Sequence, residues 1–485
     1  MPAPDVAALL SELERSEPGA VEDARTAVEW LTGGEPLESI TQLDVCEFLW
    51  YTLPIKVSGD ERAHVAIARA LGRLLALGGL DRYAAICRSP TTAKILHVYA
   101  RSGDEAGRAA YQAALDATGV LPPDVPELRW SSIMGPEELG AHVACSAALE
   151  LAIVSGALDP GSSSWKPRRE ALTRRWLTEP RPELGGDNWL HRVHGERLNR
   201  WVLGRGAARR ELAQPFEVRL HAPVPAPEGV RMAPLRWLLG RAGEPGGLAL
   251  TQRHYLSRAL AVEAATRFDW TPAPPASPGM VATAVDATGP ARVVAGAKAA
   301  ARRAAGVRSA VGTPRGEADV PVLTTLREVA QGELGALRRT GRRLVLTPAG
   351  RELLDDPAKM WDSATAALLA PVRGEHDFGI SVREAALMLL ADGAAFTPAE
   401  LRQRIGEVVS GEGWRSSAGD DLDPPLTALF RRLAAFGLAP APREARQEGA
   451  AAGVQTVRLN PAGRAAALAA LRWHALRPRK YVSLG

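Results

Sequence analysis

Hydrophobic positions recur at helical intervals through the first part of the chain. Val6, Leu9, Leu10 and Leu13 share one face of a helix, and Ile67, Leu71, Leu74 and Leu75 share one face of another. Residues three and four apart lie above one another on a helix of 3.6 residues per turn. Gly78-Gly79 stops the second of these helices, and Ser89-Pro90 starts a later one. Further amphipathic stretches cover about 103–117, 136–156 and 187–204. Period-two alternation first appears in "FEVRLHAPV" (216–224), where Phe216, Val218 and Leu220 alternate with polar neighbours and predict a strand. The pattern therefore predicts an all-helical domain over 1–210, followed by a strand and linker over 211–232.

A different order begins after Pro223 and Pro225. "APLRWLLGRAG" (233–243) predicts a helix, "GLALT" (247–251) a short strand, and "QRHYLSRALAVEAATRF" (252–268) a second helix. Residues 271–319 break every pattern, first with "TPAPPASPGM" and then with an alanine-rich basic stretch, 291–315, that holds no acid. "VPVLTTLREVAQ" (320–331) predicts a third helix. "ELGALRR", the turn pair Thr340-Gly341 and "RRLVLT" predict a tight hairpin. Thr347-Pro348 then opens a helix, threonine as the cap and proline in the first turn, where no N–H partner is needed.

The order recurs. Helices are predicted over 381–393, over 397–409 with a Thr397/Glu400 capping box, and over 424–437. Asn460-Pro461-Ala462-Gly463-Arg464 repeats the junction Thr347-Pro348-Ala349-Gly350-Arg351, and "LTQRHYLSRAL" is a third echo. The expected fold class is mainly α: an all-helical N-terminal domain followed by two tandem winged-helix (α+β) modules. The first module covers 233–375 and carries a basic insert at 271–319 that is expected to be disordered; the second covers 376–485. The junction "LVLTPAGRELL" after an arginine-flanked hairpin resembles the wing and following helix of MarR-type winged-helix regulators, over about the last half of the chain. "EFLWYTLP", "LDRYAAICRSP" and "PLRWLL" resemble a recurring set of uncharacterised actinobacterial proteins, a likeness that implies no activity.

Composition bounds the function. The 485 residues are 46% hydrophobic and 24% charged, a soluble globular balance. The most apolar run, "CSAALELAIVSGAL" (145–158), is too short to span a bilayer and contains Glu150. "MPAPDVAALLSELERSE" lacks a basic start and a long apolar run, so no secretion signal is expected. Cys46, Cys87 and Cys145 have no paired spacing, which argues against a disulfide framework and fits a reducing cytoplasm. No membrane partner is expected, and the localisation is read as cytoplasmic.

A net charge of +4 is modest, so clustering matters more than the total. Arg338, Arg339, Arg342 and Arg343 bracket the hairpin turn, where guanidinium groups can reach phosphates or a narrow minor groove. The insert adds Arg292, Lys298, Arg302, Arg303, Arg308 and Arg315. Six neutralised phosphates change affinity by roughly three powers of ten or more over a moderate salt range. The chief candidates for nucleic-acid contact are thus Arg338, Arg339, Arg342, Arg343, Lys298, Arg302, Arg303 and Arg308, with double-stranded DNA as the partner. The bland alternative is a solvated linker and a wing whose arginines pair with acids of the same chain.

Two features weigh against base reading. The insert sits where the second and third helices of a helix-turn-helix meet at a short turn. In the second module, Asp420, Asp421 and Asp423 precede a helix whose exposed polar groups are mainly Thr427, Arg431 and Arg432, and carboxylates there would repel phosphate. The second module and the helical domain are accordingly candidates for protein partners. The alternative function is an adaptor that binds no DNA.

Other constellations point to structure. His191, His194 and Glu196 raise a metal site, but at 100° per residue Glu196 turns away from both histidines. Cys87 has no evident histidine base, and the tryptophans at 50, 130, 165, 176, 189 and 201 suit core packing. "WKPRREALTRRW" (165–176) suits phosphate or a solvated face equally. No Walker, dinucleotide, zinc-protease or nucleophile-elbow pattern occurs. No catalytic set, metal or cofactor is expected.

Overall fold

The computed structural model describes residues 5–270, 313–372, 375–414, 422–439 and 456–480. It is mainly helical with one small three-stranded sheet. Two compact units form, one from 1–196 with 478–485, the other from 197–477. The division falls inside helix Trp189–Leu203 rather than at residue 210, and none falls at residue 375.

The first unit is built from helices, as its periodicity predicts. Leu10 and Leu13 of Val6–Ser16 and Ile67, Leu71, Leu74 and Leu75 of Glu61–Leu77 are buried in one core. Asp60 caps the latter helix by accepting from Ala63 N at 2.9 Å. Ser89 caps Pro90–Thr118 by accepting from Thr92 N at 3.1 Å, and that helix breaks at Gly103, where φ is 81°. Glu150, the one charge in the apolar 145–158 run, is buried, and its carboxylate accepts from Gln42 N at 2.7 Å, Tyr83 Oη at 2.8 Å and Arg82 Nη1 at 3.2 Å.

Elsewhere in this unit Val125, Leu128, Ala141, Cys145, Leu177 and Val193 make a smaller core with Trp130, Trp176 and Trp189 packed against it. Here Glu196 accepts from Glu138 N at 3.1 Å in the first turn of helix Pro136–Val154. A Cβ at Gly135 would meet the Glu196 carboxylate, which would have to shift. Residues 478–480 return to the first unit: Ser132 N donates to Arg479 O at 2.7 Å, and Arg479 N donates to Ser131 Oγ at 2.9 Å.

At the start of the second unit the chain is helical where alternation predicts a strand. Residues predicted as the strand 216–224 include the short helix Phe216–Arg219. Phe216 and Leu220 are both buried, four apart as on a helix, whereas Val218 between them is 83% exposed. The alternation of letters was not an alternation of faces.

Helix Ala233–Gly243, strand β1 (Leu248–Ala249), helix Arg258–Phe268, helix Pro321–Gln331, strands β2 (Leu337–Thr340) and β3 (Arg343–Leu346) and helix Pro348–Asp355 follow in the expected order. The helix predicted from 252 starts six residues later at Arg258, capped by Ser257. The strands form one antiparallel sheet in the order β1-β3-β2. The insert is shorter than expected at its far end. Glu317 is buried, accepting from Leu256 N at 2.5 Å and Arg327 Nε at 2.6 Å, and Arg258 Nε donates to Pro314 O at 3.2 Å.

Helices Asp377–Ala391, Pro398–Gly411, Asp423–Ala435 and Pro461–Leu476 make the second run. Among the described residues, its only strand-like pairing is a bridge between Phe396 and Val457. The repeated glycine has the same cause in both runs. Gly350 N donates to Thr347 Oγ1 at 3.0 Å, and a Cβ at Gly350 would meet Ala336 O. Gly463 N donates to Asn460 Oδ1 at 2.7 Å, and a Cβ there would lie 2.8 Å from Leu438 O. In each run the chain leaving the third helix crosses over the first turn of the fourth.

The two runs are not separate modules. Helix Pro321–Gln331 packs on Asp423–Ala435, helix Pro461–Leu476 packs on Pro357–Leu368, and one hydrophobic core runs through both. Two buried arginines seal the seam where helix Pro357–Leu368 ends. Arg383 donates to Leu368 O at 2.7 Å and Ala370 O at 3.1 Å and pairs with Glu375 at 2.5 Å. Arg432 donates to Ala367 O and Ala370 O and pairs with Glu333 at 2.6 Å. Ala367 O and Leu368 O are carbonyls that a helix end leaves without intrahelical partners, and positive charge suits that end of the helix dipole. Burial lowers Arg383 to about 10. No helix among the described residues is long and apolar enough to cross a membrane.

Candidate nucleic-acid interface

The hairpin stands because its inner positions are apolar. Leu337 and Leu344 are buried, and Leu337 pairs with Leu346 across the ladder. Strand β1 can reach β3 only because residue 247 is glycine: φ is 63°, and a Cβ would lie 2.5 Å from Leu344 O. Thr340 pairs with Arg343, so the two-residue turn is Gly341-Arg342, one position later than the predicted Thr340-Gly341. Gly341 takes a φ of 59°, the positive value that a glycine-first hairpin turn requires.

This register distributes the four predicted arginines. Arg338 and Arg343 share one face of the ribbon, Arg339 lies on the other face opposite Leu344, and Arg342 sits in the turn. All four are exposed. Arg343 is tied back, donating through Nη1 to Gly246 O. Among the described residues, no carboxylate lies within ion-pair distance of Arg338, Arg339 or Arg342, and their side chains make no hydrogen bond. Three guanidinium groups thus face solvent from both faces and the tip of one ribbon. Lys298, Arg302, Arg303 and Arg308 lie outside the described residues, as does Arg292. Arg315, at the end of the predicted basic stretch, is exposed.

Several of the other basic candidates are buried or paired. Arg432, expected to be exposed on the third helix of the second run, is buried at the seam, while Thr427 and Arg431 are half-buried. Asp423 accepts from Arg402 Nε at 2.6 Å; Asp420 and Asp421 lie outside the described residues. On helix Trp165–Thr178, Arg174 pairs with Glu127, Arg175 with Glu179 at 3.3 Å, and Arg169 lies 4.5 Å over the Trp165 ring. That stretch is largely paired within its own unit.

His191 Nδ1 lies 3.0 Å from Asp187 Oδ1, while Glu196 serves the helix start at Glu138. Among the described residues, no group of three or more His, Cys, Asp or Glu could hold a metal ion. Cys46, Cys87 and Cys145 are buried free thiols, and burial pushes Cys87 and Cys145 up to about 12, far from the range of a reactive thiolate.

Sequence reasoning missed a second polar cluster. Glu384, fully buried, accepts from Trp201 Nε1 at 2.5 Å, Arg209 Nη2 at 2.6 Å and Arg205 Nη1 at 3.4 Å. His474 Nε2 lies 3.5 Å from the same carboxylate, and Arg477 reaches His474 Nδ1 at 2.6 Å. A guanidinium can only donate, so Nδ1 carries a lone pair and the proton sits on Nε2, facing Glu384. Burial pushes the Glu384 carboxyl up, but His474 and the two guanidinium groups outweigh it and hold it at about 2. Burial lowers His474 to about 4. The signal was present as the doublet Arg383-Glu384 inside the otherwise apolar "SVREAALMLL". Comparison with protein-family models, curated proteins and solved structures returns no match for this chain.

Proposed function

We propose that this chain is a non-enzymatic, cytoplasmic, nucleic-acid-associated protein, and that the hairpin of 337–346 is a wing whose Arg338, Arg339 and Arg342 hold phosphates of duplex DNA. The two helix runs are read as winged-helix modules fused through one core. Support comes from the three guanidinium groups, which are exposed and lack carboxylate partners among the described residues although the chain carries 55 acids. The resemblance of "LVLTPAGRELL" to the wing junction of MarR-type regulators points the same way. In this reading Lys298, Arg302, Arg303 and Arg308 add sequence-independent affinity.

The buried Arg432 and the engaged Asp423 favour a different role for the second run. It stabilises the first and offers surfaces to a protein partner, without reading bases. Binding of the full chain to a scrambled duplex across a salt series tests the proposal. Changing Arg338, Arg339 and Arg342 together to alanine should reduce the slope of log K against log salt by nearly three, at about 0.9 for each phosphate released. Wild-type binding with the slope retained in that variant would remove the hairpin from the interface. No binding at low salt would leave the adaptor reading in its place.

A further inference from the structure

The residues between β1 and helix Arg258–Phe268 read in sequence as the start of that helix, yet they fold as a tight turn. Thr251 N donates to Tyr255 O at 2.8 Å, His254 N to Thr251 O at 3.0 Å, and Tyr255 N to Thr251 Oγ1 at 3.1 Å. Leu250 and Leu256 bridge the two ends and are buried. Arg253, His254 and Tyr255 are therefore carried outward, and all three are exposed.

Both ends of this turn are fixed. Leu250 N donates to Arg342 O at 2.8 Å, which places the turn against the hairpin tip. Leu256 N donates to the buried Glu317, which Arg327 holds in turn. His254 has a φ of 62°, a left-handed conformation uncommon for a residue with a side chain, and one that persists where surrounding bonds over-determine it. No acid occurs from 250 to 258. Among the described residues, Arg253 has no carboxylate within ion-pair distance. What the turn presents is a guanidinium, an imidazole and a phenol, beside a tip that presents further guanidinium groups.

We propose that the 251–255 turn is a second phosphodiester contact on the same surface, with Arg253 donating to a backbone phosphate of duplex DNA beside the one met by Arg342. The inference rests on the reading of the hairpin as a nucleic-acid contact. A phosphodiester backbone suits it better than an acidic peptide, because phosphates of regular spacing match cations carried on two turns joined by the Leu250 N–Arg342 O bond. The strained His254 keeps that spacing.

The test uses the full chain and a duplex of scrambled sequence over a salt series, with three variants. Arg253→Ala should weaken binding several-fold regardless of sequence and lower the salt slope by about 0.9. His254→Gly, which removes the backbone strain, should unfold at an equal or higher temperature and still bind more weakly. A wild-type slope in Arg253→Ala, alongside a flattened slope in R338A/R339A/R342A, would overturn the turn contact and leave the hairpin reading standing. No binding by the wild-type chain would overturn both. Capture of polyglutamate in preference to the duplex would overturn the assignment to nucleic acid.

Discussion

Arginine does two opposite jobs within the second unit. At the seam and around Glu384, Arg383, Arg432 and Arg209 are buried, and each has a carboxylate partner. At the hairpin, Arg338, Arg339 and Arg342 are exposed and, among the described residues, have none. Nothing in the residue type separates the two groups. The difference lies in cost. Breaking a buried pair leaves an uncompensated charge in a low dielectric, a loss of about 3–5 kcal/mol, whereas an exposed cation stays hydrated and can be exchanged for a phosphate partner. Buried arginines are thus expected to govern stability and the exposed ones binding.

Glu384→Gln should have the largest effect. It removes the charge that Arg209 and Arg205 share, leaving Arg209 with Glu412 alone at 3.1 Å and Arg205 without its buried partner. The expected loss is about 3–5 kcal/mol, read as a lower urea midpoint with an unchanged slope. The salt dependence of duplex binding by the folded fraction should not move. A loss below about 1 kcal/mol would place the cluster among the marginal surface pairs and dissolve the contrast.

Acid should act on the same cluster. Burial holds His474 at about 4 against an ordinary 6.5. Between those values the unfolded chain takes up a proton that the folded chain refuses. Stability is therefore complete above about pH 6.5 and falls toward pH 4, by about 3 kcal/mol for a shift of this size. Glu384 extends the decline. Its carboxyl is held at about 2 against 4.5, so its contribution is present above pH 4.5 and is lost as pH falls through 2. His142, in the first unit, is also lowered to about 4 by burial, so the measurement is the difference between wild type and His474→Gln. The two unfolding curves should converge between pH 6.5 and 4; parallel curves would show that His474 is not buried neutral.

The repeated glycines give a smaller effect that tests whether the two runs are built alike. Gly350→Ala and Gly463→Ala each drive a methyl group into a backbone carbonyl, Ala336 O and Leu438 O respectively. Backbone yields less than a side-chain end, so each should cost about 1–3 kcal/mol. A neutral result at 463 with a loss at 350 would show that only the hairpin-bearing run needs this close crossing.

Much of this architecture was legible because its signals are local. Helical spacing placed Ile67, Leu71, Leu74 and Leu75 on one buried face, and Thr347-Pro348 and Thr397-Pro398 marked helix starts that capping bonds now account for. The hairpin was legible from the arginine-flanked glycine, although cross-strand pairing at Thr340 moved its turn by one residue. What failed depended on distant partners. The compact units do not divide at 375, where helices far apart in sequence share a core. Arg432 looked exposed until Glu333 and the end of another helix covered it. Arg383-Glu384 stood out within an apolar helix, but Arg209 and His474, which complete the Glu384 cluster, lie far away in the chain.

The smallest stability effect belongs to the residues expected to matter most for function. Arg338, Arg339 and Arg342 bury no charge, and no described carboxylate depends on them. Surface substitutions of this kind stay within about 0.5 kcal/mol each. Removing three like charges from one tip also relieves repulsion, which offsets the loss of packing by their aliphatic stems. R338A/R339A/R342A should therefore unfold at nearly the wild-type urea midpoint while losing nearly three units of salt slope on duplex DNA. Arg432→Ala is the mirror image, with several kcal/mol of stability lost and the slope retained in whatever remains folded. If the hairpin variant instead unfolded early, its arginines would be engaged in the fold, and the division between buried and exposed arginines would no longer separate stability from binding.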